Sequence, residues 1–159
     1  MPSASKLEPQ PQLGVDRASH TIRLTRDLEA SRAEIFAAWT KPEHVACWWD
    51  AAGEPLAACE IDLRPGGLFQ FVTRGHPEMP FTGVYREIAP PDRLIFEALG
   101  ATGRVTLREA NGKTHMLVEI ECRSDQQLEQ FLKMGVNVGT GQTLDNLVAY
   151  VRSRASRAA

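Results

Sequence analysis

Apolar and polar residues alternate over residues 21–26, Thr-Ile-Arg-Leu-Thr-Arg, and this period of two predicts a half-buried strand. Ser31 then stands at an N-cap position, with Glu34 three residues on at capping-box spacing, so Ile35-Phe36-Ala37-Ala38-Trp39 reads as a short helix. Pro42 ends it and supplies the first turn of a second short helix that runs to Trp48-Trp49. The period of two then returns. Residues 57–63, 68–73, 82–88, 93–98, 103–109 and 114–122 read as six strands. Between them lie turn signals at Arg64-Pro65-Gly66-Gly67, at Pro90-Pro91-Asp92 and at Asn111-Gly112, and a loop over 74–80. Ser124 caps a helical region in which Leu128, Phe131 and Leu132 form an apolar stripe. Gly135, Gly139 and Gly141 follow as a glycine-rich joint, read here as close helix–sheet packing. Beyond it Leu144, Leu147, Val148 and Val151 recur at helical spacing to near Arg152.

One strand, two short helices, six strands and a long C-terminal helix predict an α+β fold, with a curved antiparallel sheet wrapped around that helix. The stripe of Leu144, Leu147 and Val151 has no other surface large enough to cover it, so all three are expected to be buried on the concave face. Residues 1–19, with Pro2, Pro9, Pro11 and several Ser and Gln, read as a flexible N-terminal tail, and residues 20–155 as the domain.

Composition narrows the function. The 159 residues suffice for one domain, and 43% hydrophobic residues suffice for its core. With 18 basic and 20 acidic residues the net charge is −2, so there is no basic excess of the kind a nucleic-acid surface carries. No apolar run approaches the roughly 20 residues of a spanning helix. No apolar segment of a signal peptide follows Met1, and the three cysteines, Cys47, Cys59 and Cys122, have no CxxC spacing. A cytoplasmic protein with reduced thiols is expected. His44 and Cys47 could share a helix face, but His20, His76 and His115 lie in separate elements, so no metal is assigned. GxSxG, HExxH, P-loop and GxGxxG motifs are absent, and no cofactor or catalytic residue is assigned.

Four segments in this order resemble a known family. They are Lys41-Pro42-Glu43-His44-Val45-Ala46-Cys47-Trp48-Trp49; Asp62-Leu63-Arg64-Pro65-Gly66-Gly67-Leu68-Phe69; Gly83-Val84-Tyr85-Arg86-Glu87-Ile88-Ala89-Pro90-Pro91-Asp92-Arg93-Leu94; and Gly135-x-x-x-Gly139 with Leu144-Asp145-x-Leu147. Over residues 20–152 the chain resembles single-domain members of the Hsp90-ATPase-activator-homologue-like family, in the START/Bet v 1-like (SRPBCC) helix-grip superfamily. The resemblance implies a helix-grip fold with a hollow between sheet and helix. It also places a Trp after the second helix glycine, where this chain has Thr140. The smaller residue implies an enlarged hollow between the helix and the strand carrying Phe69 and Phe71.

In such a hollow Trp48, Trp49, Phe69, Phe71, Tyr85, Phe96, Met116, Val118 and Phe131 are the expected ligand-binding wall, closed from the helix side by Met134 and Thr140. Alternation sets Glu87 on the face of Gly83 and Tyr85. It either lines the hollow, as a polar ligand contact or base, or is solvated. Asp62 and Arg64 flank a turn and read as a structural ion pair. The reading is a binder of a small hydrophobic molecule, with no nucleic-acid or membrane partner. A chaperone-interaction module stimulating an Hsp90-type ATPase, and a cyclase or hydrolase using Glu87, Tyr85 or His76, stay open as alternatives. A homodimer contact stays open as well.

Overall fold

A computed structural model describes residues 13–158. The chain runs β1 (Leu13–Asp16), β2 (Thr21–Leu28), α1 (Arg32–Thr40), α2 (Pro42–Trp48), β3 (Ala58–Ile61) and β4 (Leu68–Val72). It continues through β5 (Phe81–Ala89), β6 (Arg93–Ala98), β7 (Ala101–Ala110), β8 (Lys113–Glu121), α3 (Asp125–Lys133) and α4 (Val136–Ala158). The strands form one curved antiparallel sheet in the order β1-β2-β8-β7-β6-β5-β4-β3, as the alternating pattern predicts. Ser31 accepts a hydrogen bond from the Glu34 N–H (3.2 Å), and Ser124 one from the Gln127 N–H (3.1 Å), so both expected caps form. Asn111 and Gly112 both take positive φ, 56° and 77°, the geometry of a tight hairpin turn.

Inward residues line up across the strands. Leu24 of β2 faces Val118 of β8, which faces Val105 of β7, which faces Leu94 of β6, and all four are buried. α4 lays its stripe on this face. Leu144, Leu147 and Val151 are 1%, 0% and 6% exposed, as the stripe requires. Arg26 of β2, whose side chain is only 10% exposed, holds the near end of α4. Its Nε donates to Asp145 Oδ1 (2.8 Å) and its Nη2 to the Gly141 carbonyl (3.2 Å).

The structure departs from the expected order in two places. Leu13–Asp16, inside the expected tail of residues 1–19, pairs with β2, with Val15 opposite Ile22. Edge pairing uses backbone groups and needs no apolar run, so composition gives no sign of it. Residues 1–12 of that tail lie outside the described residues. The C-terminal helix is also two helices. Gly135 breaks it at φ 76°, and the Met134 and Gly135 N–H groups bond back to the carbonyls of Gln130 and Leu132.

Close packing is not what the joint's glycines provide. A Cβ on Gly135 or Gly139 would meet nothing within 4 Å, and one on Gly141 would make ordinary contact with Arg26 at 3.5 Å. Gly135 is needed for its left-handed backbone. Gly139 lies within α4 over open space, so Gly139→Ala should stabilise the fold by about 0.5–1 kcal/mol. Chemical denaturation measures this, and a loss of stability would show that the position is not open.

Candidate functional site

A cavity of about 320 Å³ lies between α4, α3 and the concave side of β5–β8. Its wall is mostly apolar. Phe81, Phe96, Val118 and Ile120 come from the sheet, Phe131 from α3, Trp39 from α1 and Trp49 from the end of α2. Small residues leave the space unfilled, with Ala98, Ala101 and Gly103 on the sheet side and Gly139 and Thr140 on α4. Gly103 sits opposite Phe96, and a Cβ there would fall 2.4 Å from the Phe96 ring. The phenyl therefore lies against the backbone of β7.

The wall contains five of the expected ligand-binding residues: Trp49, Phe96, Val118, Phe131 and Thr140. Trp48, Phe69, Phe71 and Tyr85 pack beside it in an aromatic cluster that leaves a void of only about 10 Å³. In that cluster the Phe69 ring lies 5.1 Å from Phe71 and 5.0 Å from Tyr85, and Trp49 reaches it through Phe71 at 4.9 Å. Trp48 donates its indole N–H to the Ala38 carbonyl (3.0 Å) and meets Trp39 edge-on at 4.9 Å. Met116 is fully buried, and its sulfur accepts the Trp39 indole N–H at 3.4 Å. It is core behind the wall. The enlarged space that Thr140 implies therefore meets Phe81, Phe96 and Val118, not the β4 residues Phe69 and Phe71.

Two expected site residues stand elsewhere. Met134 is the C-cap of α3 and is 71% exposed, because the left-handed turn at Gly135 carries the chain off the stripe set by Leu128 and Phe131. Glu87 ion-pairs with Arg93 on the outer face. The cause is a β-bulge. Tyr85 pairs with Phe96 but Glu87 pairs with Ile95, so one residue is added and alternation reverses. Ile88, opposite buried Leu94, takes the inward place. Asp62 and Arg64 do form the expected ion pair, at 2.9 Å.

The expected wall omits Trp39, Phe81, Asp50, Thr73 and Thr143, all of which line the cavity. One had a signal in the sequence: Thr143 follows Thr140 by three residues on one helix face. Phe81 is placed by its pairing with Phe71 across β4 and β5, one residue before the expected strand. The Thr143 hydroxyl donates to the Trp49 carbonyl (3.0 Å), and the Asn146 side chain donates to the Asp50 carbonyl (2.9 Å). These bonds tie α4 to the segment after α2.

Titratable groups near the core are shifted by burial. Burial pushes the Cys59 thiol up to about 11 and raises Cys122 and the Tyr85 hydroxyl above their ordinary values. A raised thiol pKa leaves little thiolate, and the thiolate is the nucleophile. Iodoacetamide at mildly alkaline pH should therefore modify exposed Cys47 first and leave Cys59 and Cys122 until the protein unfolds. Peptide mapping reads the order, and equal rates would contradict the burial of Cys59. His44, held below its usual value by burial and by Arg154, bonds through Nδ1 to the Tyr150 hydroxyl at 2.5 Å. Among the described residues no three His, Cys, Asp or Glu side chains gather as metal ligands. No described helix is long and apolar enough to cross a membrane.

Residues 29–152 match the family model described as activator of Hsp90 ATPase homolog 1-like protein. Among solved structures, a Nitrosomonas europaea protein is similar at 23% identity and TM-score 0.79, covering 89% of this chain and 99% of that one. A Rhodobacter sphaeroides protein is similar at 21% identity and TM-score 0.79, covering 89% and 97%. A Mycobacterium smegmatis protein is similar at 19% identity and TM-score 0.76, covering 92% and 99%. At these identities the likeness is one of fold. No curated protein matches the chain.

Proposed function

Since the chain belongs to the activator of Hsp90 ATPase homolog 1-like family, whose fold commonly carries hydrophobic ligands, we propose that it binds a small hydrophobic molecule between α4 and the sheet. The observation that carries this reading is the cavity of about 320 Å³. Ordinary cores are close-packed and hold few voids larger than a water molecule. Cavities of about 300–1,000 Å³ are the usual size of small-molecule sites. Five aromatic rings face this one, and its shape is set by residues buried on their other sides. The acid–base reading names Glu87, His76 and Tyr85, and none of the three lines the cavity. Glu87 is paired with Arg93 on the outer face, His76 is exposed beside Glu78, and the buried Tyr85 belongs to the filled cluster. The three free cysteines accord with a cytoplasmic site of action.

Native mass spectrometry of protein purified from its own host tests the proposal. A retained small molecule, displaced by a hydrophobic fluorescent probe, is the expected result. Protein that carries nothing and takes up no such probe would overturn it.

A further inference from the structure

The cavity wall is uneven in polarity and one-sided in charge. Apart from Glu119, its polar residues are Asp50 in the segment after α2, Thr73 just past β4, and Thr140 and Thr143 on the part of α4 that is bonded to that segment. The β6–β8 and α3 side is apolar apart from Glu119 of β8. Among the described residues no Lys, Arg or His lines the cavity. Of its two acidic residues, Glu119 is already bound by Arg23 (2.9 Å) and Arg104 (3.5 Å). Asp50 remains, with Oδ1 accepting the Ala52 N–H at 3.0 Å. A ligand carboxylate or phosphate would lose its hydration, find no cation and meet the field of Asp50. A hydroxyl or ammonium group would find acceptors in the Asp50 carboxylate and the threonine oxygens.

Size sets a second limit. An apolar cavity of about 150 Å³ accepts benzene. A cavity of about 320 Å³ is roughly twice that. It therefore encloses roughly 10–14 non-hydrogen atoms of a ligand.

We infer that the part of the ligand enclosed in the cavity is an apolar body about the size of two small rings, bearing a hydrogen-bond donor and no acidic group. This rests on the ligand-binding reading above. The donor is the chemistry the wall recognises, and the experiment separates its two sources, a hydroxyl and an amine.

Isothermal titration calorimetry of the full chain at neutral pH, with naphthalene, naphthol, naphthylmethylamine and naphthoate, gives the test. Naphthol and the amine should bind at least as tightly as naphthalene, and naphthoate at least about 10-fold more weakly than naphthol. Asp50→Asn keeps the side-chain shape and removes the charge. It should narrow the gap between the amine and naphthoate, while naphthol binding stays within about threefold. Naphthoate binding as tightly as naphthol, or an unchanged gap in Asp50→Asn, would overturn the inference while leaving ligand binding intact. Failure of naphthalene, naphthol and the amine alike to bind while a hydrophobic fluorescent probe still binds would also overturn the inference, and failure of that probe as well would remove the ligand-binding reading itself.

Discussion

Leu147→Ala is expected to lower the free energy of unfolding by about 2–5 kcal/mol, a large part of the stability of a domain this size. Leu147 is completely buried at the centre of the α4 stripe, one turn on from Leu144 and one turn before Val151. The truncation removes transfer free energy and leaves a hole. α4 cannot sink to fill it, because Arg26 holds Gly141 and Asp145 at fixed distances from β2. Equilibrium denaturation with urea measures the loss, and an unchanged slope with denaturant would confirm that only stability has changed. A loss under about 1 kcal/mol would mean that the site collapses freely and that the helix is not seated as described.

Thr140→Trp should abolish uptake of a hydrophobic probe, at a stability cost no larger than about 1–3 kcal/mol for overpacking. Thr140 stands on the cavity wall beside Gly139, whose own Cβ position is empty. An indole there projects into space that no core residue occupies. Thr140→Val, close in shape to threonine but lacking the hydroxyl, separates blockage from loss of the polar group and should keep probe binding. Probe titrations run beside thermal melts decide the matter. If Thr140→Trp binds the probe as wild type does, the cavity is not the site of uptake.

Local chemistry made most of the fold legible. The Ser31 and Ser124 caps, the Asn111-Gly112 turn and the α4 stripe all act within a few residues, and each formed as read, while period-two alternation located the strands but not every facing within them. The site was legible only in part, because it depends on events that residue pattern does not encode. One added residue in β5 turns Glu87 outward, although alternation sets it beside Tyr85. One left-handed glycine turns Met134 to solvent. Apolarity alone also cannot tell a ring that packs from a ring that leaves space. Phe69 and Phe96 each lie across a glycine on the next strand, Gly83 and Gly103, yet only Phe96 borders the cavity.

The two halves of α4 answer to different demands. Val136, Gly139, Thr140 and Thr143 border the cavity at successive turns, and none of them belongs to the fully buried stripe. Leu147 and Val151, further along, are packed into that stripe and do not touch the cavity. Leu144 is the one position common to both. Substitutions at the upstream positions should reshape the cavity at small energetic penalty, and those at Leu147 and Val151 should unseat the helix. A single helix thus keeps the positions that shape the cavity apart from those that seat the fold, and the fold itself recurs at 19–23% identity.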